Sequence, residues 1–177
     1  MISFRTERLH LRMFRERDLD AYAAICADAE VMQHIGAGGP VGRDVAWRQM
    51  ALFLGEWTLH GHGMWAVERR ADGRLIGRVG FLEPEGWPGC ELGWLLARDA
   101  WGQGYAHEAA RAAIACGREQ LDLGELISLI RPDNRRSIAL AERLGARLGS
   151  QMEFMGGQTL LYRHAAQAAR RENPPAR

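Results

Sequence analysis

The chain has 177 residues, of which 47% are hydrophobic and 25% are charged. At roughly 100 to 200 residues per domain, this length and composition predict one globular domain that folds without disulfides or a metal. The formal net charge is only +1, and all 23 basic residues are arginine. The small net charge argues against nucleic acid as a partner, and the absence of lysine excludes Schiff-base chemistry and a P-loop.

The three cysteines, Cys26, Cys90 and Cys116, are scattered and follow no C-x-x-C or metal-binding spacing. They indicate reduced thiols in a cytoplasmic protein without a metal site. The four serines stand outside any G-x-S-x-G motif, so a hydrolase nucleophile is not indicated. Since no apolar run approaches the roughly 18 residues of a membrane span, we expect no membrane partner.

The first third of the chain predicts one strand and two helices. Apolar and polar residues alternate over 9–13, which is typical of a half-buried strand. Asp18 is a favourable N-cap for a helix that begins at Leu19. After a glycine-rich loop at 36–40, residues 45–57 have the apolar spacing of a second helix, which ends at Gly61-His62-Gly63.

The rest of the chain predicts most of the sheet. Apolar runs at 64–69, 75–82 and 90–96 predict a three-stranded antiparallel meander, with Asp72-Gly73 as the first hairpin turn. A helix over 104–121, a strand over 125–130, a helix over 134–144 and a final hairpin over 147–163 follow. This order predicts a mixed α/β sheet with helices on both faces, in a single domain at 1–164 with a frayed tail at 165–177.

A glycine-containing segment between a predicted strand and a predicted helix reads Trp101-Gly102-Gln103-Gly104-Tyr105-Ala106-His107-Glu108. Glycines there free backbone N–H groups, and the helix N-terminus adds about half a positive charge, so the segment suits a phosphate or pyrophosphate. The alternative is that the glycines only form a tight turn. A Rossmann loop requires a third glycine where His107 stands, which disfavours a nucleotide-binding oxidoreductase.

Three further motifs accompany this segment in chain order. They are Thr6-Glu7-Arg8-Leu9-His10-Leu11-Arg12, Cys90-Glu91-Leu92-Gly93-Trp94-Leu95-Leu96, and Asn134-x-x-Ser137 ending at Leu144-Gly145-Ala146. Together the four motifs resemble the GNAT superfamily of acetyl-CoA-dependent N-acetyltransferases, in particular its ribosomal-protein N-terminal acetyltransferase branch. The resemblance covers nearly the whole chain, and four ordered motifs are far more specific than any one of them.

The resemblance implies a central, mostly antiparallel twisted sheet with splayed central strands, and acetyl-CoA as cosubstrate. Main-chain groups of Leu95, Leu96 and Ala97 would pair with the pantetheine arm, which carries amides that can extend a strand edge. Asn134 would cap a helix and bind the cosubstrate. The amides that would hold the pyrophosphate belong to Gly102, Gln103, Gly104, Tyr105, Ala106 and His107.

One position departs from the family pattern. The superfamily's loop usually begins with Gln or Arg, and this chain has Asp99 there. The departure removes one side-chain contact and leaves the backbone cradle.

Acetylation of an amine at pH 7 needs a base, because an α-amine has a pKa of about 8 and is mostly protonated. The candidates are Glu83, Glu85 and Glu91. By strand alternation Glu91 shares a face with Gly93 and Leu95, so we favour Glu91 as the base, directly or through water. The alternative is that Glu91 is a structural hydrogen-bond partner and the other two glutamates are solvated loop charges.

The departing thiolate needs a proton donor. Many members of the superfamily have a Tyr seven positions after the Asn, and this chain has Ala141 there. We expect Ser137 to be the substitute, because the resembled branch carries a Ser at this place. The alternative is that Ser137 only belongs to the cap of the helix that Asn134 starts.

The predicted function is transfer of an acetyl group from acetyl-CoA to a primary amine by direct attack, without a covalent enzyme intermediate. A protein N-terminus, a small polyamine and an aminoglycoside-like amine all remain open as acceptors, with the N-terminus suggested first by the resemblance. A noncatalytic CoA-binding regulatory module is the alternative function. Members of the superfamily often dimerise, and the sequence leaves formation of a homodimer open.

Overall fold

Eight strands form one sheet in the computed structural model, which describes residues 2–165. The strands are β1 (Phe4–Arg5), β2 (Leu9–Arg12), β3 (Met64–Arg69), β4 (Leu75–Leu82), β5 (Glu91–Leu96), β6 (Leu126–Ile130), β7 (Arg147–Phe154) and β8 (Gly157–His164). The helices are α1 (Leu19–Cys26), α2 (Ala29–Met32), α3 (Arg43–Leu59), α4 (Tyr105–Glu119) and α5 (Arg135–Arg143). Within residues 2–165, every helix is too short or too polar to span a bilayer.

The strand order across the sheet is β1-β2-β3-β4-β5-β6-β8-β7. All neighbours are antiparallel except β5 and β6, which are parallel. The predicted meander is therefore confirmed as β3, β4 and β5. Its first turn uses Gly73 in the left-handed region at φ 70°, as the Asp-Gly pair predicted. The predicted mixed, mostly antiparallel α/β sheet is confirmed.

Helices cover both faces of the sheet. On one face, the alanines of α4 lie against Trp65, Phe81 and Leu92 in the larger buried cluster. Small residues permit this close approach, because a Cβ at Gly117 would lie only 2.7 Å from the Phe81 ring. On the other face, Tyr22 of α1 and Phe53 of α3 pack in a second buried cluster.

The sequence interpretation missed two short elements, β1 and α2. Strand β1 has two residues and α2 has four, so neither is long enough to show a hydrophobic period. Helix α2 is nevertheless capped, since the Asp28 side chain accepts a hydrogen bond from the Glu30 N–H at 3.0 Å. The predicted frayed tail lies outside the described residues, apart from Ala165.

Candidate active site

The glycine loop at residues 102–107 presents a row of free backbone donors. Gly102 and Gly104 have φ of 74° and 80°, the left-handed region that favours glycine. The first backbone bond of α4 runs from the Glu108 N–H to the Gly104 carbonyl at 3.0 Å. Within residues 2–165, none of the N–H groups of residues 102–107 has an acceptor. Such a row at a helix N-terminus fits a pyrophosphate, so the chain's own atoms suit the predicted guest.

Glu108 fastens this loop to the N-terminal strands. Its carboxylate accepts from the Thr6 hydroxyl at 2.6 Å, from the Arg8 N–H at 2.9 Å and from Arg8 Nε at 2.7 Å. Arg8 Nη1 also donates to the Gln103 carbonyl at 2.9 Å. Burial would raise the pKa of Glu108, yet these hydrogen bonds outweigh it and hold the pKa below its usual value. The Thr6 to Arg8 motif is thus a support for the loop.

Asp99, the residue that departs from the family pattern, forms an ion pair with Arg74. Its carboxylate accepts hydrogen bonds from Arg74 at 2.5 and 3.1 Å, which hold its pKa below the usual value. The backbone carbonyl of Asp99 accepts from the Gln103 side chain at 2.7 Å. The Asp99 carboxylate is therefore paired with a cation next to the glycine loop.

Strands β5 and β6 separate soon after they meet. Within the described chain they share one registered pair, Glu91 with Ile127, joined by the Ile127 N–H donating to the Cys90 carbonyl at 3.0 Å. Next to it, the Ser128 hydroxyl donates to the Leu92 carbonyl at 2.7 Å. We call this junction, residues 90–92 and 126–128, the seam. Beyond the seam the strands diverge, as the resemblance implied for the central strands.

Most backbone N–H and carbonyl groups of residues 95–97, next to the gap beyond the seam, already have partners or face β4. The Ala97 N–H donates to the Ile76 carbonyl at 2.8 Å, and the Ala97 carbonyl accepts from the Ala100 N–H at 2.9 Å. By antiparallel alternation, the main chain of Leu95 also faces β4, whereas that of Leu96 faces the gap. The Leu96 carbonyl accepts from Trp101 Nε1 at 2.9 Å. Among Leu95, Leu96 and Ala97, the Leu96 N–H is thus the one backbone donor that faces the gap.

A cavity of about 260 Å³ passes through this gap, and we call it the split cavity. Glu91 lines it, and its Oε2 accepts a hydrogen bond from Trp87 Nε1 at 2.7 Å. Burial raises the pKa of Glu91, while the Trp87 hydrogen bond, the charge of Arg78 and the N–H of Leu129 oppose the rise. The pKa of Glu91 is therefore higher than that of an exposed glutamate, chiefly because of burial.

The other two predicted bases lie outside the split cavity. The Glu83 carboxylate is 3.4 Å from Nε2 of the buried His62, and the Glu83 N–H donates to Glu56 at 3.0 Å. Glu85 is exposed in the loop between β4 and β5. Of the three candidates, the cavity lining includes Glu91 alone within residues 2–165.

Ser137 and Asn134 line the same cavity from the start of α5. The Asn134 side chain accepts from the Ser137 N–H at 3.1 Å, which confirms the predicted helix cap. The Ser137 hydroxyl oxygen accepts from Trp94 Nε1 at 3.1 Å. Within residues 2–165 the Ser137 hydroxyl has no acceptor for its own hydrogen, so it can donate to a ligand in the cavity.

Comparison with known proteins decides the family. The sequence matches the acetyltransferase (GNAT) domain over residues 8–147. The uncharacterized protein YkkB of Bacillus subtilis (strain 168) is 30% identical over 145 residues, which cover 79% of this chain and 82% of that protein. The chain belongs to the GNAT acetyltransferase family.

Solved structures of acetyltransferases share the fold of this chain. The crystal structure of an acetyltransferase from Agrobacterium tumefaciens str. C58 is 35% identical, with a TM-score of 0.84 over 93% of this chain and 95% of that one. RimL, a ribosomal L7/L12 alpha-N-protein acetyltransferase solved in complex with coenzyme A, is 18% identical and shares the fold, with a TM-score of 0.74 over 89% and 94% of the two chains. As a GNAT acetyltransferase, this chain uses acetyl-CoA.

The GNAT chain lacks the family's usual acid, as the sequence indicated. Ala141 is fully buried in the small cluster with Ile130, Leu160 and Tyr162, so this position belongs to the core of the α5 side. Ala141 therefore offers no polar group to the split cavity, whereas Ser137 of the same helix lines it.

Sequence reasoning missed two functional residues of this GNAT site. Arg78 is a buried guanidinium on β4 that lines the split cavity, and Trp94 holds the Ser137 hydroxyl. A signal existed for Arg78, because it is the single charged residue in the apolar run over 75–82. Trp94 had no such signal, because an indole in a strand is usually a core residue.

Proposed function

We propose that this chain acetylates a primary amine, either a protein N-terminus or a small-molecule amine, by direct attack of the amine on acetyl-CoA in a ternary complex. The observation that carries the proposal is that Glu91 and Ser137 line one cavity at the point where the sheet splits. Bound acetyl-CoA supplies a thioester whose carbonyl carbon forms the new C–N bond while its C–S bond breaks.

Glu91 takes the proton that the amine must lose. Its carboxylate is held by Trp87 in a partly buried position, where burial raises the pKa. A base with a raised pKa is a stronger proton acceptor than an exposed glutamate, and it is ready to accept a proton at a pH above that pKa. Glu91 receives the proton directly or through one water.

Ser137 donates to the departing sulfur. Trp94 Nε1 donates to its oxygen, so the hydroxyl hydrogen is available to the thiolate. The hydroxyl passes its proton to the sulfur and is reprotonated from solvent, which completes the thiol product. The cysteines are not required as nucleophiles, because all three are buried free thiols.

The proposal also includes the extent of the domain, its location and the first class of acceptor to test. A single domain over residues 1–164 and a cytoplasmic location are consistent with one continuous sheet and with unpaired thiols. RimL acts on an α-amine by its own description, and this supports an α-amine as the first class of acceptor to test here.

The test combines calorimetric titration of acetyl-CoA with a thiol-release assay over amines and N-terminal peptides. Glu91→Gln should lower kcat about 100-fold or more while leaving the acetyl-CoA Kd unchanged. The wild-type rate should rise with pH through the raised pKa of Glu91, because the base must lose its proton, and this acidic limb should vanish in the variant.

Glu85→Gln is the matched control, because Glu85 is exposed in the neighbouring loop. It should keep wild-type kcat. Full kcat in Glu91→Gln across pH 6 to 9 would remove Glu91 as the base. Binding of acetyl-CoA without thiol release from any acceptor would favour the noncatalytic CoA-binding module.

A further inference from the structure

Two of the arginines within residues 2–165 are buried, and they differ in their partners. Arg12 is 4% exposed and Arg78 is 7% exposed. Arg12 donates to both oxygens of Asp18, at 2.7 and 2.8 Å, and to Glu68 at 2.8 Å. A buried cation normally requires such carboxylates, because removing its hydration is costly.

The groups in direct contact with Arg78 are all neutral. Its Nε donates to the Tyr22 hydroxyl at 3.1 Å, its Nη1 lies 3.5 Å from the Met64 sulfur, and its guanidinium is 5.1 Å from the centre of the Phe53 ring. No carboxylate among residues 2–165 forms an ion pair with it. The charge of Arg78 lowers the pKa of Glu91, but no carboxylate of the described residues contacts the guanidinium, so it can pair with the carboxylate of a ligand.

The neighbours of Arg78 orient it without neutralising it. The Tyr22 hydroxyl donates to Gln49 Oε1 at 2.8 Å, so its oxygen is directed to accept from Arg78. Burial raises the pKa of Tyr22, which keeps the phenol neutral. This chain of bonds fixes the guanidinium and leaves its Nη2 without a hydrogen-bond partner in the described chain.

Arg78 faces the split cavity on the same side as the proposed base. A Cβ built on Gly93 would lie 3.7 Å from Glu91 Oε1 and 3.9 Å from Arg78 Nη1. The Met64 methyl group would lie nearer still, at 2.9 Å, so the space over Gly93 is bounded by a methionine, a carboxylate and a guanidinium. Both groups line the cavity of about 260 Å³, which is below the range of about 300 to 1,000 Å³ typical of drug-sized ligands.

We propose that the acceptor is a small α-amino carboxylate, whose carboxylate pairs with Arg78 while its amine faces Glu91. This inference rests on the proposed function, and it selects a free amino acid over a protein N-terminus. In a protein N-terminus the corresponding carboxyl group is part of a peptide bond, so it carries no charge to satisfy Arg78. The amine nitrogen bonds to the acetyl carbon, its proton passes to Glu91, and the thiolate leaves as the thiol.

The first experiment compares matched acceptors in the thiol-release assay. Each standard α-amino acid is assayed beside its α-carboxamide, which keeps the amine and removes the negative charge. We expect at least one amino acid to exceed its carboxamide about 100-fold in kcat/KM. In Arg78→Met this preference should fall to within about threefold, because the buried cation is gone.

Arg48→Gln is the control, because Arg48 is an exposed arginine on α3 paired with Asp44, and it should keep the preference. An unchanged acetyl-CoA Kd shows that Arg78→Met is folded. Equal kcat/KM for acid and carboxamide, or an undiminished preference in Arg78→Met, would overturn the inference while leaving the transferase intact.

A second experiment does not depend on turnover. N-acetylated amino acids, the products of the reaction, are titrated calorimetrically into wild type and Arg78→Met. Binding that is lost in the variant supports the carboxylate site even if no amine is acetylated, in which case only the proposed function fails. Absence of binding to the wild type would overturn the inference.

Discussion

Ser137 makes two hydrogen bonds that separate its structural role from its chemical one. Its backbone N–H binds the Asn134 side chain, and its hydroxyl binds Trp94. Ser137→Ala removes the hydroxyl and keeps the cap. We expect kcat to fall at least about tenfold with little change in KM or melting temperature, measured by steady-state kinetics and thermal unfolding.

Asn134→Ala gives the complementary result at the same helix start. It removes the cap and should lower the free energy of unfolding by about 1 kcal/mol. A Ser137→Ala variant that loses stability and keeps kcat would assign Ser137 to the helix cap alone.

Individual site residues were predictable from the sequence where they belong to a recognisable motif. Glu91, Asn134 and Ser137 were identified from the sequence, and the structure brings all three to one cavity. The isolation of Arg78 was not predictable, because it depends on which carboxylates fold next to which arginines. Arg12 and Arg78 look alike in sequence, and only the fold gives Asp18 and Glu68 to the first of them.

The glycine loop depends on an element distant in sequence. Glu108 touches none of the free amides, yet it ties the first turn of α4 to Thr6 and Arg8, and Arg8 holds the Gln103 carbonyl. Glu108→Gln should therefore raise the acetyl-CoA Kd, by about tenfold, because a neutral amide keeps fewer and weaker bonds to Arg8. Calorimetric titration measures this change.

Glu119→Gln serves as the control at the exposed end of α4, and it should leave the Kd unchanged. If Glu108→Gln also leaves the Kd unchanged, the two glycines alone determine the loop conformation.

The main strands and helices were predictable to within a few residues, because their apolar periods are long. The strands over 64–69 and 75–82 have the predicted bounds in the structure. The place where β5 and β6 separate was not predictable. At this place the Ser128 hydroxyl donates a hydrogen bond to the Leu92 carbonyl of the neighbouring strand. No local pattern carries that information.

For the molecule as a whole, the sequence predicted the order of the elements and the meander. The resemblance to a family added the separation of the central strands. Neither the sequence nor the resemblance predicted the size of the split cavity or the charges that face it. Both properties arise from contacts between β4, β5, α3 and α5.

The seam also joins two parts of the chain that each contribute residues to the candidate site. Residues before the exposed turn at Asp122 carry the glycine loop and Glu91, while residues after it carry Asn134 and Ser137. Inserting a protease site between Asp122 and Leu123 and cutting the folded protein would leave two fragments joined at the seam. Acetyl-CoA that contacts both must lower the dissociation constant of the two fragments, since linkage is reciprocal. An equal dissociation constant with and without acetyl-CoA, measured by fluorescence, would show that one fragment binds it alone.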